Sequence, residues 1–269
     1  MKKTKIGCLL LVFAICVHIF PLSVYAGTYQ EYILDVYDSL NTMNAKCDSA
    51  PQQFVNGTYR TYELLYIITT MLDKSNTYSD ITSDVNDSFV SANSSSKGAP
   101  QQAVNGLYRS FELTYLIADI LDDGTYTSAI SDIYDTFTSN NASMDSAYQQ
   151  QVNGTYREVE MLGIIAKEFD PSGNYTELIS GVLSDLATNN ASCDSAPKQV
   201  VNGTYRTVEM LYIIAHELDK AETYSEIIDG ILSDYSEQNS SAGSAPQQAV
   251  NGSYRTVDLL TIIALCLDT

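Results

Sequence analysis

All five arginines of this chain stand at one place in a repeated polar pattern. The first set is Gln53, Asn56, Tyr59, Arg60 and Glu63. The second is Gln102, Asn105, Tyr108, Arg109 and Glu112, and the third Gln150, Asn153, Tyr156, Arg157 and Glu160. The fourth is Gln199, Asn202, Tyr205, Arg206 and Glu209, and the fifth ends on aspartate, with Gln248, Asn251, Tyr254, Arg255 and Asp258. Gln, Asn, Arg and the acid fall at i, i+3, i+7 and i+10, which is one face of a helix. In a chain with 33 acids and 14 basic residues, guanidinium supplies what an ammonium cannot, a planar fork of donors. The adjacent tyrosine can stack on a cation or a ligand.

Two chemistries fit such a stripe. Stacked repeats set equivalent side chains beside each other, so the stripe could bond from unit to unit as an internal ladder that satisfies buried polar groups. Alternatively it lines a periodic groove for an extended glycan or peptide.

Catalytic signals are sparse. His216 lies among apolar residues, and no nucleophile, base and orienting group can be assembled around it. The acids offer many carboxylate pairs of the kind glycoside hydrolysis uses, yet the distinctive residues recur in all five copies, whereas an active site breaks symmetry. No calcium loop of the D-x-[DN]-x-[DN]-G type occurs, and neither metal nor cofactor is expected. Asp80, Asp84 and Asp87 share a helix face and read as solvated surface. The sequons at Asn56, Asn153, Asn202 and Asn251 read as incidental.

The elements behind the stripe follow from its period. Val-Asn-Gly-x-Tyr-Arg recurs from Val55, Val104, Val152, Val201 and Val250, at spacings of 49, 48, 49 and 49. A period of that length is one supersecondary unit stacked on its neighbours. The units run 28–76, 77–124, 125–173, 174–222 and 223–269 and leave no room for a separate catalytic domain.

Each unit reads as two helices. The first is amphipathic, with apolar Tyr224, Ile227, Ile228, Ile231, Leu232 and Tyr235 in the last copy, and belongs on the outside. Thr28/Glu31, Thr77/Asp80, Thr125/Ser128, Asn174/Glu177 and Thr223/Glu226 suggest capping boxes at its start. The second helix opens at Ser-Ala-Pro and spans about 50–72 in the first unit. It is apolar nearly all round in its second half and belongs between layers. A glycine inside it costs about 1 kcal/mol. Its recurrence at Gly57, Gly106, Gly154, Gly203 and Gly252 therefore predicts close approach of neighbouring backbones. The competing reading makes Asn-Gly a turn, with the helix starting after it.

The fold class is thus all-α: five tandem two-helix hairpins stacked as an α-solenoid, or closed into an α/α ring. As an open stack, five units at about 9–10 Å per helix layer give a rod or arc near 50 Å long.

The N-terminus reads as an export signal over 1–26. Lys2, Lys3 and Lys5 precede an apolar run from Ile6 to Phe20, followed by Pro21 and by Val24-Tyr25-Ala26 at a cleavage position. The helical-repeat domain then covers 27–269. Net charge is −19 for the chain and three units more negative without that segment. Such charge opposes nucleic acid and anionic lipid. Hydrophobic content of 45% is enough for a core. Cys47, Cys193 and Cys266 remain, an odd number for an exported chain. Cys47 and Cys193 occupy one loop position three units apart, too far for a bridge.

These observations point to a secreted, periplasmic or cell-surface protein that is non-catalytic and serves as a scaffold or interaction module, with a protein partner or its own copies. Head-to-tail self-association would follow from the missing polar cap after the last helix. The alternatives are a glycan- or peptide-binding module built on the stripe, and an α/α-barrel enzyme acting on carbohydrate.

Overall fold

The computed structural model describes residues 29–268, so the export segment at 1–26 lies outside the described residues. Among the described residues ten helices alternate in length. The shorter set is α1 (Gln30–Asn44), α3 (Ser79–Ser95), α5 (Thr127–Ser143), α7 (Thr176–Ser192) and α9 (Ser225–Ser241). The longer set, each of 23 residues, is α2 (Ala50–Leu72), α4 (Ala99–Leu121), α6 (Ala147–Phe169), α8 (Ala196–Leu218) and α10 (Ala245–Leu267). The second helix therefore runs straight through Asn-Gly, and the turn reading falls.

The long helices pack side by side in chain order, and α10 then packs on α2 about as extensively as consecutive inner helices pack on each other. The five hairpins close into a ring, with the long helices as an inner barrel and the short ones outside it. Each outer helix seats on its own inner helix and on the preceding one, α1 doing so on α10. Among the described residues, no outer helix packs directly on another outer helix. An open rod near 50 Å long is excluded. So is the exposed apolar end that motivated head-to-tail stacking, because α1 and α2 cover α10.

Close approach explains the glycines. A Cβ on Gly106 would stand 2.9 Å from Thr58 Cβ, one on Gly203 2.6 Å from Thr155 Cβ, and one on Gly252 2.8 Å from Thr204 Cβ. Each contact joins an inner helix to the one before it. Gly154 is looser, with Leu107 Cβ at 3.3 Å. Gly57 meets Ser253 Cβ at 2.7 Å, so the first helix approaches the last as the others approach their predecessors.

Four of the capping boxes are corrected, while Thr28 lies outside the described residues. The N-cap positions are tyrosines that make no side-chain cap bond, and the side chains of Thr77, Thr125, Asn174 and Thr223 accept no helix N–H among the described residues. Instead the aspartate ending each inner helix caps the next outer one. Asp73 accepts from Thr77 N at 2.9 Å and Tyr78 N at 2.8 Å. Asp170 accepts from Asn174 and Tyr175, Asp219 from Thr223 and Tyr224, and Asp122 from Tyr126. A carboxylate there satisfies orphan N–H groups and meets the positive end of the helix dipole. Asp268 completes the cycle by accepting from Tyr29 N at 3.0 Å. Loss of a cap costs about 1 kcal/mol, or about 2–4 °C in a chain of this size. Asp268→Ala is thus expected to lower the melting temperature as Asp73→Ala does, although Asp268 lies at the chain's end. An unchanged melt for Asp268→Ala alone would contradict closure.

The core is two shells. Three buried positions repeat on outer helices, as in Ile33, Val36 and Leu40 or Ile179, Val182 and Leu186. Inside, Leu65, Ile68, Leu162, Ile165, Leu211, Ile214, Leu260 and Ile263 fill the barrel axis. The N-terminal mouth is a dimple of about 50 Å³ among Pro51, Pro100, Pro197, Pro246 and their neighbours. No helix of the described residues is long and apolar enough to cross a membrane.

Candidate functional site

The polar stripe faces the clefts between outer helices, but its members turn to different neighbours. Asn56, Asn105, Asn153 and Asn202 are buried and donate through Nδ2 to the carbonyls of Leu40, Phe89, Phe137 and Leu186, at 3.0, 3.1, 3.0 and 3.0 Å. Each such carbonyl lies on the outer helix of the same hairpin. Gln199 and Gln248 donate to Asn190 O and Asn239 O, also within their hairpins. Asn251 and Gln53 are half-buried, with no side-chain hydrogen bond among the described residues. Of the sequon asparagines on the stripe, Asn56, Asn153 and Asn202 are buried and engaged.

Every Arg pairs with the acid three residues on. Arg60–Glu63 is 2.6 Å and Arg255–Asp258 2.8 Å, and Arg109–Glu112, Arg157–Glu160 and Arg206–Glu209 pair likewise. Arg206 also meets Asp185 at 3.3 Å. The side chains are largely buried, from 10% exposed at Arg60 to 21% at Arg157. Burial lifts the carboxyls of Glu112, Glu209 and Asp258 despite the adjacent guanidinium, the last to about 6. In all five arginines Nε is buried without a partner. Arg109, Arg157 and Arg206 lie over the rings of Tyr108, Tyr156 and Tyr205, 4.6–5.0 Å from their centroids.

Tyrosine is the member that crosses between units. Tyr59 donates to Asn93 Oδ1 at the end of the next outer helix, and Tyr254 to Asn44 across the closure. Tyr205 reaches Ser236 at 3.4 Å. Within the stripe, bonding between units thus runs through tyrosine, while the Asn and Gln side chains that bond, and each Arg with its acid, do so within their own hairpins.

The clefts are not equal. Between α1 and α3 the side chains of Met43 and Tyr59 leave about 20 Å³. Between α3 and α5 a groove of about 490 Å³ opens over α4, lined among others by Lys97, Gln101, Tyr108, Arg109, Asn141 and Gln150.

Three groupings lay beyond sequence reasoning. Glu158 stands where the other units have Thr61, Ser110, Thr207 and Thr256. It is buried, accepts from Thr114 Oγ1 at 2.7 Å, leaves Oε2 without a partner, and is pushed up to about 7 by burial. Secondly, His216 Nε2 lies 3.2 Å from Asp229 Oδ1, to which Tyr212 also donates at 2.8 Å. Burial and that bond push the Tyr212 phenol up to about 12, so it is no nucleophile near neutrality. Thirdly, Asp122, Asp123 and Glu168 bring their carboxylates within 4.8 Å of one another, but Asp122 is already committed to capping α5. Cys47 and Cys193 are half-buried free thiols, two units apart around the ring.

Compared with known protein families, curated proteins and solved structures, the chain matches none.

Proposed function

We propose that the chain is an exported, non-catalytic helical-repeat module that makes its contacts through the clefts of its outer face. What carries this reading is the separation of the outer helices around a filled barrel. The axis holds side chains, and Asp268 after α10 caps α1. The openings left for a partner lie between outer helices, where tyrosine, amide and guanidinium groups form the floor. Export follows from the segment at 1–26.

The carbohydrate-active barrel needs a carboxylate pair at an axial mouth, and neither axial pocket is lined by any acid. Ring closure also removes the apolar end that motivated self-association, which favours a different molecule as partner.

The test incubates the purified mature protein with washed envelopes of the cells that produce it. Saturable retention, with no polymer fragments released, is expected. Release of fragments would make it an enzyme, and absence of saturable retention would contradict the module.

A further inference from the structure

The repeat supplies its own internal control for each cleft. Between α1 and α3 the cleft is shut. Met43 fills it, Tyr59 is 4% exposed, and its hydroxyl is latched to Asn93. The cleft between α3 and α5 differs at each of these points. Ala92 stands in register with Met43 and removes the filler. Tyr108 is half-buried, and neither its hydroxyl nor the side chain of Asn141, the counterpart of Asn93, has a hydrogen-bond partner among the described residues. Gln150 is also unbonded, although its counterparts Gln199 and Gln248 are tied to carbonyls. Lys97 stands where other units carry Asp48, Asp145, Asp194 and Gly243, so one wall changes from acid to base. Lys97 is exposed and makes no ion pair among the described residues.

We infer that the groove between α3 and α5 is a binding site for a short acidic saccharide, a sugar chain carrying a uronate carboxylate. Its volume, about 490 Å³, lies in the range of small-ligand sites, roughly 300–1,000 Å³. Unengaged amides of Gln101, Asn141 and Gln150 offer both donors and acceptors, as sugar hydroxyls require. The Tyr108 phenol adds a further donor and the edge of an apolar surface. The ammonium of Lys97 meets a carboxylate as a mobile point charge, whereas Arg109 is held by Glu112 and contributes shape. A peptide is less well served, because the lining offers no apolar pocket to anchor a side chain. The inference rests on the reading of the outer clefts as the binding face, and it commits that face to one cleft of the five.

The test is calorimetric titration at low salt with digalacturonate, galacturonate, polygalacturonate and cellobiose. Two variants import residues that the first unit already carries, Lys97→Asp and Ala92→Met, so both are expected to fold, which a thermal melt checks. Saturable digalacturonate binding is expected. It should be weakened about tenfold or more by charge reversal at Lys97, abolished by Ala92→Met, and reduced by added salt. Cellobiose should bind more weakly, because it has the hydroxyls without the charge. Polygalacturonate binding far more tightly per site than the disaccharide identifies a polymer as the natural source, and equal affinity a free sugar acid. No saturable digalacturonate binding, or binding indifferent to both variants, overturns the inference. If envelope retention persists in that case, the outer-face module stands and its ligand is of another class.

Discussion

Replacing Glu158 by Thr is expected to raise the melting temperature at pH 8 by on the order of 10 °C, and by much less near pH 4.5. The carboxyl is buried, faces no cation, and is satisfied at one oxygen only, by Thr114. Burial disfavours its charged form and pushes its pKa from 4.5 up to about 7. A folded-state pKa above the unfolded one means that folding favours the protonated acid. The contribution is fully favourable below about pH 4.5, declines as pH rises toward 7, and above 7 leaves a constant penalty. About 2.5 pKa units correspond to about 3 kcal/mol, and at about 2–4 °C per kcal/mol in a domain of this length the quoted shift follows.

Threonine fits that position, since Thr61, Thr207 and Thr256 fill it in other units and the last two bond back to their own helix at 3.1 and 3.0 Å. With Glu158 gone, the single Thr114 hydroxyl proton turns wholly to Ser110 O, which lies at 3.0 Å. Melts of wild type, Glu158→Thr and Glu158→Gln from pH 4.5 to 8.5 check this. The neutral Gln should flatten the pH dependence while retaining most of the volume. A Glu158→Thr melt below wild type at pH 8 would show that the carboxylate is stabilised by contacts the geometry does not contain.

Much of this architecture was legible in the sequence, for a physical reason: a 49-residue period with two amphipathic patterns admits only hairpins that bury faces on their neighbours. The second helix emerged at its expected bounds because Pro51 at its start and the apolar run ending at Leu72 are local signals. The reading of the glycines as points of backbone approach holds at Gly106, Gly203 and Gly252. Capping was misread because local spacing drew attention to Thr77/Asp80, while the real cap, Asp73, belongs to the preceding helix.

The stripe was placed on one helix face, but a face does not tell which of two flanking helices each side chain meets. Asn56 turned to its own hairpin and Tyr59 to the next. The widened cleft at Ala92 and Lys97 was hidden by attention to what repeats, when the informative residues were those that did not. Closure depends on the rotation from each hairpin to the next, which no residue announces alone. Yet Gly57 and Asp268 were visible clues, since an open stack gives the first glycine and the last aspartate nothing to approach or cap.

That contrast supplies the most direct measurement of ring closure, the thermal melt of Gly57→Ala. In an open stack Gly57 would face solvent at the first edge. Alanine would then stabilise the helix by up to about 1 kcal/mol and raise the melt by about 2–4 °C. In the closed ring the new Cβ meets Ser253 Cβ at 2.7 Å on α10, where a helix backbone and not a flexible tip must yield. Overpacking of that kind costs about 1–3 kcal/mol and outweighs the propensity gain. Gly203→Ala, against Thr155 at 2.6 Å, is the internal reference that destabilises in either architecture. The closed ring predicts that Gly57→Ala melts below wild type, alongside Gly203→Ala. A Gly57→Ala melt above wild type, with Gly203→Ala still below it, would contradict closure.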